Sequence, residues 1–187
     1  MKMKKADIIM IGFIAVVAIS GLFLALKFRP EKQQADWGKT FATTNQNSEE
    51  YDNVCVITIC CNTILNHSDK LNPAKKSYVP ENGIILEKTE VGFEEGETVF
   101  DILCRICEDT EIQLEYSWTP VYDSYYVEGI NQIYEFDCGG QSGWMYKVNG
   151  HFPNYGCSGY EVSPKDEIEW IYTCEGFGTD VGAELGE

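Results

Sequence analysis

The nineteen residues from Ile8 to Leu26, IIMIGFIAVVAISGLFLAL, carry no charge. A helix needs about 20 such residues to cross the hydrocarbon core of a bilayer, so this run constrains the rest of the chain before any other feature is read. Lys2, Lys4 and Lys5 precede it, and cytoplasmic flanks favour basic charge. Lys27 and Arg29 follow it and reduce the asymmetry. A cleaved signal peptide has a shorter apolar region, roughly 7–15 residues, with small residues at the cleavage site. The segment LFLALKFRP makes a poor site, and no cysteine ends the run to accept a lipid. The reading is a retained single-pass transmembrane helix within residues 1–30, N-terminus inside, with the C-terminal domain extracellular and held at the cell membrane.

All eight cysteines come after this run. Outside the cytoplasm an even number of cysteines forms disulfides, because the compartment is oxidising. Spacing alone does not say which thiols pair. After Pro30, nine basic residues face 29 acidic ones, a formal charge of −20. A field of that sign repels nucleic acid and anionic membrane surfaces, so nucleic acid is excluded as a partner and membrane contact runs through the anchor.

Residues 31–52 are polar and without periodicity and read as a flexible stalk, since too little apolar surface is available to offset ordering entropy. A single domain occupies residues 53–182, with an acidic tail at 183–187. VCVITICC (54–61) alternates β-branched residues with cysteine, and IILEKTEVGF (84–93) and IQLEYSW (112–118) also read as strands. NTILNHSDKLNPAKKSYVPENG reads as a long loop. TVFDILCRICED (98–109) is the one convincing helix: Val99, Ile102, Leu103 and Ile106 share a face, and Thr98 with Asp101 resembles a capping box. Residues 119–143 read as loop with short extended pieces. WMYKV with Asn149-Gly150 after it is the strongest hairpin signal, because Asn-Gly suits a type I′ turn. A final strand runs through Thr173. One helix among many strands, without βαβ alternation, predicts an α+β fold.

The stretch GWMYKVNGHFPNYGCSGY (143–160) concentrates aromatics and allows two readings. In one, Trp144, Tyr146 and Phe152 form a core hairpin. In the other, these residues support or join an exposed aromatic surface, chiefly Tyr155 and Tyr160, that holds a flat ligand or a protein partner. Cys104-x-x-Cys107 has redox spacing but lies mid-helix, away from the N-terminal dipole that lowers a thiol pKa. His67 and His151, the only histidines, read as solvated, and the cysteines show no zinc-knuckle spacing. The acidic runs lack the ligand alternation of an EF-hand. No phosphate loop or nucleophile elbow is present. The expectation is a protein that is not an enzyme, with no metal site.

CNTIL, VPENGIIL, GETVFDIL, YSWTPVY, YVEGINQIYEFDCG, the stretch from Ser142 to Ser158 and DEIEWIYTC together resemble the transcobalamin-like C-terminal domain family, domains of unknown function common on Gram-positive bacterial surfaces. The resemblance implies a β-grasp-like mixed sheet with one helix on it. It also implies a ligand, since the similar domain of the vertebrate cobalamin carriers closes over one face of a corrinoid. In those carriers a large helical domain forms the other half of the site. The family pattern suggests cysteines at 61, 107, 138, 157 and 174; those at 55, 60 and 104 depart from it. In a β-grasp sheet the first and last strands are neighbours, which makes Cys61–Cys174 a reasonable bridge, and Cys138–Cys157 would close the hairpin region. The expected function is a surface-anchored, non-catalytic binding module for a corrinoid-like small molecule. A structural or adhesive domain contacting another surface protein is the alternative, and an extracytoplasmic thiol oxidoreductase is the third reading.

The anchor reading has a direct test. The full-length protein should fractionate with membranes, and protease added outside the cell should remove the domain. Mature protein beginning near residues 27–36 in the medium would replace the anchor with a cleaved leader.

Overall fold

The computed structural model describes residues 53–183; the anchor, the stalk and residues 184–187 of the tail lie outside them. Strand β1 (Val54–Cys60) carries the alternation expected from its sequence: Cys55, Ile57 and Ile59 are fully buried, and Val56 and Thr58 between them are partly exposed. Strand β2 (Ile84–Gly92) pairs antiparallel with it from Val54↔Gly92 to Cys60↔Ile84, with register shifts near Ile59. Exposed Glu87, Lys88 and Glu90 line this edge strand, a charge pattern that discourages edge-to-edge association.

Between β1 and β2 the sequence predicts an irregular loop, and the structure is more ordered. A one-turn helix, α1 (Thr63–Asn66), comes after β1, and a 3-10 segment runs over Pro73–Tyr78. Asn72 starts the latter, its side chain accepting from Ala74 N at 3.1 Å.

Helix α2 (Val99–Asp109) buries Val99, Phe100, Ile102, Leu103, Ile106 and Cys107. Its first turn is closed reciprocally: Asp101 N donates to Thr98 Oγ1 at 3.3 Å and Thr98 N donates to Asp101 Oδ2 at 2.9 Å. Aspartate therefore serves here where Glu or Gln is usual.

Strands β3 (Leu114–Thr119), β4 (Ser124–Ile130) and β5 (Ile133–Tyr134) form a three-stranded antiparallel sheet. The seven-residue β4 is longer than the short pieces expected there. Tyr125 and Tyr126 are both exposed, so its outer half lacks the in-out alternation that marks a half-buried strand.

Strand β6 (Gly143–Val148) reaches the predicted turn. Asn149 and Gly150 have φ of 53° and 79°, and Val148 and His151 exchange backbone hydrogen bonds at 2.9 and 3.0 Å, as a type I′ turn requires. Asn149 adds a tie to the start of the last strand: its Oδ1 accepts from Glu167 N and its Nδ2 donates to Asp166 Oδ1.

Strand β7 (Glu167–Thr173) pairs antiparallel with β6 and parallel with β1, giving a four-stranded mixed sheet ordered β2-β1-β7-β6. The fold is mixed α+β, with two sheets and one main helix.

Of the two readings of Trp144, the structure supports the core one. Trp144 is 6% exposed, packs edge-on against the fully buried Tyr172 at 5.2 Å, and donates its indole N–H to Ile133 O at 2.8 Å. This bond joins the two sheets. Trp144→Ala should destabilise the domain by about 3–5 kcal/mol, the usual range for a buried large aromatic. Trp144→Phe should cost about 1–3 kcal/mol, much of it from stranding the Ile133 carbonyl. Denaturant unfolding monitored by circular dichroism measures both.

Candidate functional site

The aromatic residues expected to form a ligand surface separate by depth. Trp144 belongs to the core. Tyr146 is half-buried, tilted against Trp170 at 5.6 Å, with its hydroxyl donating to Tyr155 O at 2.8 Å. Burial pushes the Tyr146 hydroxyl well above the ordinary tyrosine range, so it remains a neutral donor. Phe152 is partly buried, with Lys147 Nζ 5.0 Å from its ring centroid. Tyr155 is 55% exposed, and Tyr160, half-buried, stacks on it at 5.9 Å and 12°. Of the five residues named from the sequence, only Tyr155 is exposed, with Tyr160 stacked against it; Tyr146 supports the loop that carries Tyr155, and Trp144 is in the core.

The loop is fastened to β4. Gly156 lies so close to Ser124 that a Cβ on it would meet Ser124 Oγ at 2.1 Å. Ser158 Oγ accepts from Tyr125 N at 3.0 Å, and Ser158 N donates to Ser124 Oγ at 3.3 Å. These small residues bring the 153–156 loop against the start of β4 and leave a cleft of about 290 Å³. Tyr122, Tyr125, Tyr126, Pro153 and Tyr155 supply its apolar surface, and Thr119, Ser124 and Asn154 its polar groups.

Behind the cleft, Phe100 of α2 stacks on Tyr125 at 4.4 Å and 18°, and Tyr116 and Trp118 meet Tyr125 edge-on at 5.2 and 5.1 Å. Tyr126 is held from its outer end, where its hydroxyl donates to Glu135 Oε2 at 2.7 Å. The residues missed from the sequence are therefore Tyr116, Trp118, Tyr122, Tyr125 and Tyr126. The signal was present in YSW and YDSYY, two aromatic runs whose pairing, Trp118↔Tyr125 among others, is a long-range fact that period-2 reading does not supply.

The eight cysteines are unbridged in the structure, Cys61–Cys174 and Cys138–Cys157 included. The thiols that face one another are Cys138 and Cys174, each perturbing the ionisation of the other. Cys157 lies instead near Cys104, donating to Tyr125 O at 3.4 Å. Past the end of β7, Cys174 Sγ turns toward Thr63 Oγ1 at 3.7 Å, and Cys61 is fully buried. His67 also departs from expectation: its side chain is only 19% exposed.

In the Cys104-x-x-Cys107 pair, burial is the main cause pushing both thiols up to about 12, with Asp101 adding to it at Cys104. A redox dithiol needs the opposite shift.

A model for the Domain of unknown function (DUF4430) matches residues 96–174, from just before α2 through β7. No curated protein matches the chain. Among solved structures, the chain is similar to a protein of Ruminococcus gnavus ATCC 29149, named for a suspected metal-binding role, at 13% identity and a TM-score of 0.40. That likeness covers 67% of this chain and 99% of the other.

The raised thiols have a chemical consequence. In the reduced, folded protein, alkylation of Cys104 and Cys107 at pH 8 should run at least about a hundredfold slower than that of an unhindered cysteine, because so little thiolate is present. Time-resolved mass spectrometry of iodoacetamide adducts reads this directly; labelling as fast as glutathione would restore the redox reading.

Proposed function

We propose that the domain is a non-catalytic binding module whose ligand surface is the tyrosine-lined cleft between the β3–β4 turn and the 153–156 loop. The observation that carries this reading is the convergence of Tyr122, Tyr125, Tyr126 and Tyr155 on one apolar cleft from two separate segments. Side chains of this kind offer large, stiff surfaces at small entropic cost and recognise flat partners through area and stacking. The sheet order, with β1 and β7 parallel at the centre and β2 and β6 antiparallel outside, supports the β-grasp reading. Together with the family resemblance, that makes a corrinoid-like small molecule the first ligand to test. The cleft is too small to enclose a corrinoid, so such a ligand would lie across its mouth with one face in water, and affinity would be modest.

A protein-contact reading is favoured by a different observation. At the β3–β4 turn Val121 and Tyr122 are 85% and 75% exposed beside Trp118 at 48%, an apolar prominence suited to a partner surface. In the full-length protein we place the domain outside the cell on its N-terminal anchor, where either partner would be met.

Calorimetric and spectral titration with cobalamin decides between the two. If the first reading holds, Tyr155→Ala and Tyr122→Ala should each weaken binding by about 1–3 kcal/mol, as truncated aromatic anchors do, and leave thermal stability nearly unchanged. No heat and no spectral shift at high micromolar ligand would remove the corrinoid reading and leave the protein contact.

A further inference from the structure

A second cluster, built from elements other than those of the cleft, gathers at the ends of β1 and β7. Because these strands run parallel, the segments leaving their C-terminal ends emerge on the same side of the sheet. After β1 comes α1, whose C-terminal neighbour is His67. After β7 come Cys174 and a 3-10 turn over Thr179–Val181 that carries Asp180. The thiol of Cys138, in the turn before β6, faces Cys174 and donates to His67 O at 3.5 Å. One ligand-capable atom from each of His67, Cys174 and Asp180 lies within 4.8 Å of the other two.

The hydrogen bonds around these groups prepare them for a cation. His67 Nδ1 lies 2.9 Å from Thr63 O. A carbonyl oxygen only accepts, so Nδ1 carries a proton and Nε2 is the ring atom left to bind a cation. That Nε2 lies 3.3 Å from Glu175 Oε1, and a carboxylate also only accepts. Lys70 Nζ donates to the same Oε1 and supplies the positive charge beside this contact. Asp180 is oriented through both oxygens: Oδ2 accepts from Cys174 N at 2.8 Å and Oδ1 from the Thr173 hydroxyl. Such backing of ligand groups by carbonyls and donors is the pattern found around protein metal sites. Lys70 pairs with Glu175, and among the described residues no basic side chain is hydrogen-bonded to Cys138, Cys174 or Asp180.

We infer that His67 Nε2, Cys174 Sγ and the Asp180 carboxylate, with Cys138 Sγ as the fourth donor, form a site for a thiophilic divalent cation of the zinc class. Two sulfurs, one imidazole and one carboxylate favour such an ion over magnesium or calcium. Tetrahedral zinc holds its donors about 2.0–2.3 Å away, so the spread of the His67, Cys174 and Asp180 donors needs to contract by roughly an ångström. A dication would displace the protons of both thiols on binding. The four donors come from residues 67, 138, 174 and 180, which is why no knuckle spacing betrays them.

Cobalt(II) titration of the full chain, kept reduced, tests the site. The expected result is one ion per chain, a near-ultraviolet thiolate-to-cobalt charge-transfer band, and displacement by zinc. His67→Gln and Cys174→Ser should each lower affinity at least tenfold, and Cys138→Ser should remove about half of the band. His67→Gln alters a side chain at the edge of the fold, so it remains informative if Cys174→Ser unfolds. Cys104→Ser should leave the band intact. The inference is overturned by absence of the band, by a band indifferent to His67→Gln, or by one lost in Cys104→Ser. It is equally overturned if protein alkylated in intact cells contains a Cys138–Cys174 disulfide.

Discussion

The parallel pairing of β1 with β7 is the constraint on which the rest of this domain depends. It joins the first and last strands, from Val56↔Glu167 to Cys60↔Ile171, and it is extended by Lys165 N to Val54 O and Val56 N to Asp166 O at 2.7 and 2.8 Å. Everything between must leave the sheet at one end and return to it at the other. Helix α2 and the small sheet do this, and their Ile102, Leu103 and Ile130 share one buried core cluster with Ile57, Ile59, Ile168 and Trp170. The closure spans nearly the whole domain in sequence, and the entropy lost in forming it precedes most of the contacts it makes possible.

That constraint also explains what was legible in the sequence. Local signals were read correctly: the apolar face of α2, its Thr98–Asp101 cap, the Asn149-Gly150 turn and the alternation of β1 each depend on neighbours within a few residues. The long-range facts were not. β4 escaped because exposed aromatics replace its alternation, and the cleft escaped with it, since Tyr122, Tyr125 and Tyr126 meet Tyr155 only after β4 and the 153–156 loop are joined through Ser124 and Ser158. The cysteine pairing inferred from neighbouring strands placed the right strands together. Cys174 itself lies beyond β7, with its thiol turned toward Cys138 and Thr63. His67 looked solvated because its partners, Thr63 O and Glu175, are respectively four residues away and over a hundred.

The two clusters differ in the chemistry that holds them. The tyrosine cleft is a largely apolar surface in which Tyr126 has its hydroxyl bonded to Glu135. The cluster around Cys174 is polar and built of directional donors backed by the main chain. Trp144, through its bond to Ile133 and its packing on Tyr172, lies in the layer that connects the small sheet carrying the first to the large sheet carrying the second.

The direction of β1 relative to β7 has a mechanical consequence. A tether attached ahead of Val54 and a load applied beyond Thr173 pull the two central strands at opposite ends. In that geometry the backbone hydrogen bonds between them lie across the line of force and are sheared together, whereas an antiparallel central pair loaded in the same way would open one bond at a time. A domain built so resists extension through its termini far better than its modest size suggests.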